Sequence, residues 1–405
     1  MNNGQTFTYI IVALVAAFYY HLSELDVNEI TSLMDIKGIK EAKGNSAEPL
    51  SHTTVNTPDT LGTLDTLGTL DTGSWLYGGL PQDLGNGDEL IESRRVLERV
   101  KVHMEEMAEM DEELKVNCKN EHRSCVFWAS LGECSANPSY MKISCAPACQ
   151  SCPEIRFSHR CPIPPNLEET AAFKPNELGV MFDGIFEKEE LVKYKPVKVW
   201  DSPRIISFDE FLTSEECDAL IAFGFDKGFE RSSDVGKTKF TGESEKIISN
   251  QRTSSNAWCN KTCEENPVIH RIHEKISEVS GVPFNYSEHL QILKYGPGQE
   301  YKKHHDFIQG DDKACGPRVL TVLLYLNDVD EGGGTSFPDI GGGVEVIPKR
   351  GKALMWPSVL DKDPTKMDVR TMHQANPVLK GVKYAANAWL HLYDFKTPNG
   401  AGCTG

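Results

Sequence analysis

Positive charge is scarce in this chain. Lys and Arg total 42 against 59 Asp and Glu, and the formal net charge is -17. Phosphate binding needs clustered Lys and Arg, so the balance argues against a nucleic-acid partner. It suits neutral or basic peptide substrates. A membrane-length apolar run is also missing. Tyr9 to Tyr20 carries no charge, but it falls short of the roughly 20 residues that a spanning helix wants, although Phe7 and Leu22 extend it. The lead-in Met-Asn-Asn-Gly-Gln lacks the basic residues of a good signal peptide, while Val15 and Ala17 suit a signal peptidase. Residues 1–22 therefore read as an uncleaved signal anchor, with a cleaved signal peptide as the second reading. A buried core helix is the bland alternative, with nothing nearby to pack against it. Both leading readings send the rest of the chain into the secretory lumen. The expected location is the endoplasmic reticulum or Golgi membrane with a lumenal catalytic domain, or outside the cell after cleavage. Sequons at Asn260 and Asn285 agree with that.

Zinc-finger spacing and a His-Glu-x-x-His helix are both lacking. Cysteine is not. Six of the twelve fall at Cys118, Cys125, Cys134, Cys145, Cys149 and Cys152, with intervening gaps of six, eight, ten, three and two residues. In an oxidising compartment such density means a disulfide framework, and spacing alone leaves fifteen pairings open. With Trp128-Ala-Ser-Leu-Gly-Glu-Cys134 and Asn137-Pro-Ser-Tyr-Met141, the stretch 118–152 resembles the ShK toxin-like module. The resemblance implies bridges from Cys118 to Cys152, Cys125 to Cys145 and Cys134 to Cys149. A unit this small has too little core to fold without cross-links. Fold does not carry function, and the expected role here is substrate targeting or spacing.

Around that module, residues 23–88 read as a low-complexity stem, with Asp-Thr-Leu-Gly-Thr-Leu at Asp59 and again at Asp65. Residues 89–117 read as a helix. Positions 90, 93, 97, 100, 104, 107, 111 and 114 are Leu, Ser, Leu, Val, Met, Met, Asp and Leu. This heptad pattern fits a coiled coil joining two copies through 90–114 and fits equally an amphipathic helix lying on its own domain. A proline-rich segment from Cys161 to Pro165 sits in a linker, 153–196. The catalytic domain is expected over 197–396, with a tail at 397–405. Thr213-Ser-Glu-Glu216 is a capping box opening a helix through Ala222. Period-two stretches at His289–Tyr295, Arg318–Leu326, Val344–Ile347, Ala353–Trp356 and Lys383–Tyr393 read as short strands. Many short strands with glycine-rich turns suggest a mainly β fold with flanking helices, a two-sheet jelly roll.

Four residues carry the chemistry. His304 and Asp306 are two apart, so extended backbone projects them to one side. His373 would complete two imidazoles and a carboxylate on one face of an octahedral ion, the facial arrangement of non-haem Fe(II) oxygenases, with three positions left open. Lys383 follows His373 by ten residues. A buried ammonium needs a partner, and the far carboxylate of a chelating 2-oxo acid would provide it. His305, between two ligands, should face the other way.

From about Pro203 to Phe395 the chain resembles the prolyl 4-hydroxylase family of 2-oxoglutarate- and Fe(II)-dependent dioxygenases. The matching text includes Ile292-Leu-Lys-Tyr295-Gly-Pro-Gly-Gln299-Glu-Tyr301, Arg318-Val-Leu-Thr-Val-Leu-Leu-Tyr325-Leu-Asn327, Gly332-Gly-Gly-Thr335-Ser-Phe-Pro338 and His373 through Trp389-Leu-His391. The resemblance implies a double-stranded β-helix core and Fe(II) on His304, Asp306 and His373. It implies 2-oxoglutarate on Lys383, Tyr295 and Thr335, and peptide contacts from Tyr301, Arg318, Trp389 and His391. Arg252-Thr-Ser resembles part of a loop that folds over substrate. O2 would be the second co-substrate and ascorbate the reductant. The acceptor would be proline C4 in a proline-rich secretory-pathway substrate, with succinate and CO2 released. Gly334 departs from a glutamate usual in the family, and Tyr384 from a tryptophan. Two other readings keep different parts of this picture. One changes the acceptor to lysine or another side chain. The other is a membrane-tethered binding protein that uses the six-cysteine module and does no chemistry.

Overall fold

Alternating burial builds the larger sheet. In Arg318–Tyr325 (β9), Leu320, Val322 and Leu324 join a core shared with helices, while Leu323 and Tyr325 join a second core on the opposite face. Period-two side chains give both faces something to bury. Lys383–His391 (β18) divides likewise. Ala386, Ala388 and Leu390 go to the helices, and Lys383 and Ala385 go to the other side. These two strands lie at the centre of an eight-stranded antiparallel sheet. Its order is β1 (Pro196–Trp200), β2 (Ile205–Phe208), β13 (Ala353–Pro357), β9, β18, β7 (Leu290–Tyr295), β6 (Ser255–Cys259) and β3 (Glu230–Arg231).

A four-stranded sheet lies across the second core, ordered β12 (Val344–Val346), β11 (Thr335–Phe337), β16 (His373–Ala375) and β8 (Tyr301–His304). Phe337, Val346 and Ala375 meet Leu293, Tyr325 and Trp356 of the larger sheet. From β7 onward the chain crosses between the sheets: β8, back to β9, over to β11 and β12, back to β13, over to β16, back to β18. That is the winding of a double-stranded β-helix. Three two-stranded pairs complete the strands: β4 (Asp234–Thr238) with β5 (Ser244–Ile247), β10 (Glu331–Gly332) with β17 (Val378–Lys380), and β14 (Val359–Leu360) with β15 (Asp363–Met367).

The computed structural model describes residues 77–107, 109, 112–308 and 313–404. The segment 1–22 and the hexapeptide repeats lie outside them. Among the described residues no helix is long and apolar enough to cross a membrane.

Asp88–Met107 (α1) takes the second of its two expected courses. Val96, Leu97, Val100, Met104 and Met107 are buried in one cluster with the cysteine module, and Met104 is fully enclosed beside Cys152. The apolar seam that a coiled coil between two copies would use is thus covered within the chain. Met104→Ala should cost ~2–5 kcal/mol in the module's stability, the usual range for such a cavity. Denaturant unfolding of the full chain, followed at the module, measures it.

The module itself joins Cys118 to Cys152, Cys125 to Cys145 and Cys134 to Cys149. Two further bridges link Cys259 to Cys263 and Cys161 to Cys403. Cys217 and Cys315 are buried thiols. Of the two sequons, Asn260 is exposed beside the short Cys259–Cys263 loop, and Asn285 is half-buried.

Three boundaries need correction. The helix expected over 89–117 falls in two elements, Asp88–Met107 and Glu112–Asn117. Residues 153–196 are not a free linker. Phe173, Leu178, Phe182, Ile185, Leu191 and Tyr194 enter the main core, so the prolines only open a segment that then packs. Nor is 397–405 a loose tail, because Cys403 ties it to Cys161 and a short helix, Lys396–Gly400, precedes it. The capping box forms as read. Thr213 accepts from the Glu216 amide and Glu216 accepts from the Thr213 amide, opening Ser214–Lys227 (α2), which runs five residues past Ala222. With Pro267–Ser280 (α3), α2 covers the outer face of the larger sheet.

Candidate active site

Strand pairing places the three candidate ligands. His373 lies directly across from His304 in the β16–β8 register, and opposite residues on adjacent strands hold their Cβ atoms about 4.5–5.5 Å apart. Asp306 follows two residues after His304. The ligating atoms of the three side chains lie within 4.8 Å of one another. Asp306 Oδ2 is 3.5 Å from His373 Nε2, and Asp306 Oδ1 is 4.0 Å from His304 Nε2.

Neighbouring groups fix the protonation of this cluster. His304 Nδ1 donates to the Lys302 carbonyl at 2.8 Å, and His373 Nδ1 donates to the Thr371 carbonyl at 3.0 Å. Each imidazole therefore turns its Nε2 to the gap, the atom left to ligate a metal. Burial, aided by His373, pushes His304 down to about 3. Burial alone would raise the Asp306 carboxyl, but His373 and His304 outweigh it and bring it down to about 2. Thr321 donates to Asp306 Oδ2 at 2.6 Å and fixes its orientation. Two imidazoles and one oriented carboxylate, converging on one space, fit a divalent cation such as Fe(II). His305 turns away as expected. Its Nε2 meets the Asp368 carbonyl and Thr371 Oγ1, both at 3.0 Å, which braces the segment that leads into His373.

A pocket runs from His304 and His373 to Lys383. Lys383 is 2 % exposed and pairs across the sheet with Tyr295. Its Nζ donates to the Gly333 carbonyl at 2.7 Å, and the rings of Tyr295 and Tyr325 stand 5.4 Å away. Among the described residues this ammonium makes no ion pair. Burial pushes it down to about 7, against an opposing pull from Glu345. Tyr325 donates to Thr335 Oγ1 at 2.8 Å. Leu293, Leu323, Trp356 and Ala385 supply apolar walls. A buried cation hydrogen-bonded to a carbonyl, at the end of a slot that begins at the metal cluster, fits the distal carboxylate of a chelating dicarboxylate.

The expected peptide-contact residues separate into two groups. Tyr301 lies flat on His304, with ring centroids 3.5 Å apart, and the Arg252 guanidinium stands over the Tyr301 ring at 4.7 Å. Arg252 also donates to Gln291 at 2.6 Å. Arg318, Trp389 and His391 form the second group around a residue that the sequence reading missed. Glu288 takes both arms of Arg318 and receives His391 Nε2 at 2.9 Å. His391 Nδ1 donates to the Gly316 carbonyl at 2.7 Å, so both ring nitrogens face acceptors. Burial would lower His391, but hydrogen bonds to Cys315 and Glu288 raise it to about 10. The Arg318 guanidinium lies 3.8 Å over the Trp389 ring, whose buried Nε1 has no partner among the described residues.

Both departures from the family pattern find a place. Tyr384 points to the helix side, against Phe225 and Phe229. Gly334 leaves room for a carboxylate from the next strand. A Cβ at Gly334 would sit 2.0 Å from Glu345 Oε1, and Asn376 donates to that same oxygen at 2.6 Å. A negative group therefore stands close to Gly334 although the position itself carries none.

Fold and cluster together define a two-histidine, one-carboxylate oxygenase. The model of the 2OG-Fe(II) oxygenase superfamily matches residues 290–391, and the ShK domain-like model matches 117–152. The chain is 32% identical over 258 residues to the Arabidopsis thaliana protein named probable prolyl 4-hydroxylase 8, spanning 57% of this chain and 85% of that protein. It is 33% identical over 216 residues to Arabidopsis prolyl 4-hydroxylase 5, of which it spans 71%. Against human prolyl 4-hydroxylase subunit alpha-1 the identity is 35% over 198 residues, 47% of this chain but only 35% of that subunit. A viral collagen prolyl hydroxylase from Paramecium bursaria Chlorella virus-1, solved with 2OG, aligns at 29% identity and a TM-score of 0.37, covering 46% of this chain and 95% of that one. This chain belongs to the prolyl 4-hydroxylase family.

Proposed function

We propose that the chain hydroxylates peptidyl proline at C4, with 2-oxoglutarate and O2 as co-substrates. The observation that supports this most is the pairing of a metal-ready cluster with a buried, ion-pair-free lysine at the two ends of one slot. His304, Asp306 and His373 would hold Fe(II). Bound Fe(II), together with 2-oxoglutarate and O2, supplies an oxidant able to attack an unactivated C–H bond, with succinate and CO2 as the other products.

The remaining work belongs to side chains. Lys383 would take the distal carboxylate, with Thr335 and Tyr295 beside it. Trp356, Leu293 and Leu323 keep water from the slot, which strengthens that ion pair. An extended polyproline II segment, which costs little entropy to order, would meet Tyr301 and, past Arg318, Trp389. Glu288, through Arg318, holds the Trp389 ring in place. Ascorbate is proposed as the reductant that keeps the iron ferrous. The secretory lumen, membrane attachment through 1–22 and glycans at Asn260 and Asn285 belong to the same proposal. Five disulfides among the described residues support an oxidising compartment.

A peptide panel tests the acceptor. With iron, ascorbate and 2-oxoglutarate, a proline-rich peptide should gain one oxygen at proline C4, read by mass spectrometry and amino-acid analysis. Oxygen on lysine, or on no residue, would overturn the assignment.

Affinity for 2-oxoglutarate should depend on pH with a definite sign. Burial pushes Lys383 down to about 7, and a bound carboxylate favours the ammonium. Affinity should therefore be full below that pH and fall by up to about tenfold per unit above it. Binding at pH 8 should take up a proton, detected by calorimetry in buffers of different ionisation enthalpy. Affinity that stays flat from pH 7 to 9 would contradict a lysine partner of this kind.

A further inference from the structure

The β4–β5 hairpin belongs to neither large sheet. Its base is tied to the active site. Ser249 donates to Asp234 Oδ2 at 2.6 Å, and Arg252, which donates to the Ser233 carbonyl at 3.5 Å, stands over the Tyr301 ring that lies on the candidate ligand His304. Its tip is held somewhere else. Phe240 packs into the hydrophobic cluster of the cysteine module, under the Arg156 guanidinium at 5.3 Å. The Phe157 amide donates to the Phe240 carbonyl at 3.2 Å, and Arg160 donates to the Thr241 carbonyl at 2.8 Å. At Gly242 the fit is close enough that a Cβ would meet the Phe157 ring at 1.9 Å. The residues that grip the tip all come from 154–161, the strip that leaves the module. Arg160 also donates to the Glu154 carbonyl, and Cys161 next to it is bridged to Cys403. Between the held tip and the tied base, Val235, Ile247 and Ile248 are 55, 46 and 69 % exposed.

We propose that the disulfide module clamps this hairpin as one wall of the substrate channel. Phe240, Phe157 and Arg160 are then positioning residues for the peptide, although none of them lies in the metal or 2-oxoglutarate site. The occupant of the wall is the proline-rich segment being hydroxylated. Val235 pairs with Lys246 and so faces away from Ile247, and with Ile248 it lies at the base of the hairpin next to Ser233, which Arg252 ties to the Tyr301 stack; pyrrolidine rings are apolar and pre-ordered. This rests on the proposed proline hydroxylation and adds to it a reason for the module to be present. A hairpin with so few main-chain ties to the body would otherwise open at little cost.

The test uses the full chain with Phe240→Ala and, as the conservative control, Phe240→Leu. Four quantities are read: KM for a long proline-rich peptide, KM for 2-oxoglutarate, peptide-free 2-oxoglutarate turnover, and hydrogen exchange over 234–247. Phe240→Ala should speed exchange in the hairpin and raise peptide KM about fivefold or more, the size of an ordinary interface contact. Both 2-oxoglutarate readouts should hold, and Phe240→Leu should restore most of the loss. Unchanged hairpin exchange would overturn the clamp. Faster exchange with unchanged peptide KM would overturn the wall, as would an equal loss of peptide-free turnover. A wild-type chain that consumes no 2-oxoglutarate would instead sink the functional reading beneath it.

Discussion

Asp306→Ala should abolish both Fe(II) binding and proline-dependent succinate release. Asp306 is the only anionic member of the cluster, and it stands between the two imidazoles, 3.5 Å from His373 Nε2 and 4.0 Å from His304 Nε2. Without it, two neutral nitrogens face the ion and its charge goes uncompensated. The fold should survive, because the variant also removes the cost of burying a carboxylate and leaves only the Thr321 hydroxyl short of a partner. A graded control separates ligation from general damage. Thr321→Val keeps all three ligands and loses only the hydrogen bond that aims the carboxylate. Its metal affinity should fall by about 10–100-fold, the usual effect of an orienting partner. Iron binding measured anaerobically on both variants distinguishes these outcomes. Undiminished proline turnover by Asp306→Ala would remove the site assignment.

Lys383→Met should lose 2-oxoglutarate while gaining or keeping thermal stability. Removing one partner of a buried charge pair costs roughly 2–5 kcal/mol of binding, about 30- to 4,000-fold in affinity. Stability moves the other way for a stated reason. Burial lowers the folded-state pKa of this lysine to about 7, below that of an exposed lysine. The free protein thus carries a penalty that is fully present below about pH 7 and is relieved as pH rises toward the unfolded value. Methionine has a similar length and no charge, so the penalty disappears. Functional sites commonly hold such unfavourable groups for the sake of their ligand. A melting temperature that falls together with the affinity would mean that Lys383 serves packing and not capture.

The site was more legible than the strands that build it. His304, Asp306, His373 and Lys383 could be found because metal and carboxylate chemistry admits few residue types, and their order along the chain narrows the choice. The larger sheet could be found because β7, β9 and β18 are long enough for period two to show. In the smaller sheet only Val344–Val346 showed. Thr335–Phe337 and His373–Ala375 are three residues each, and Tyr301–His304 is four, too short for any periodicity. Glu288 was missed because its partners, Arg318 and His391, lie 30 and 103 residues away and meet only across the folded sheet. The prolines after Cys161 suggested a linker, yet the apolar residues from Phe173 to Tyr194 decide that segment's course. The heptad of α1 showed an apolar seam without saying what covers it. The covering surface is the cysteine module, which no local pattern could reveal.

Anaerobic calorimetry of 2-oxoglutarate on the full chain, with and without Fe(II), tests the pocket most directly. One molecule should bind per chain, tightly only when the metal is present, because the proximal carboxylate and keto group would need the ion while the distal carboxylate meets Lys383. Binding that ignores Fe(II), or none at all with Fe(II) in place, would contradict a single slot with a metal at one end and an ammonium at the other.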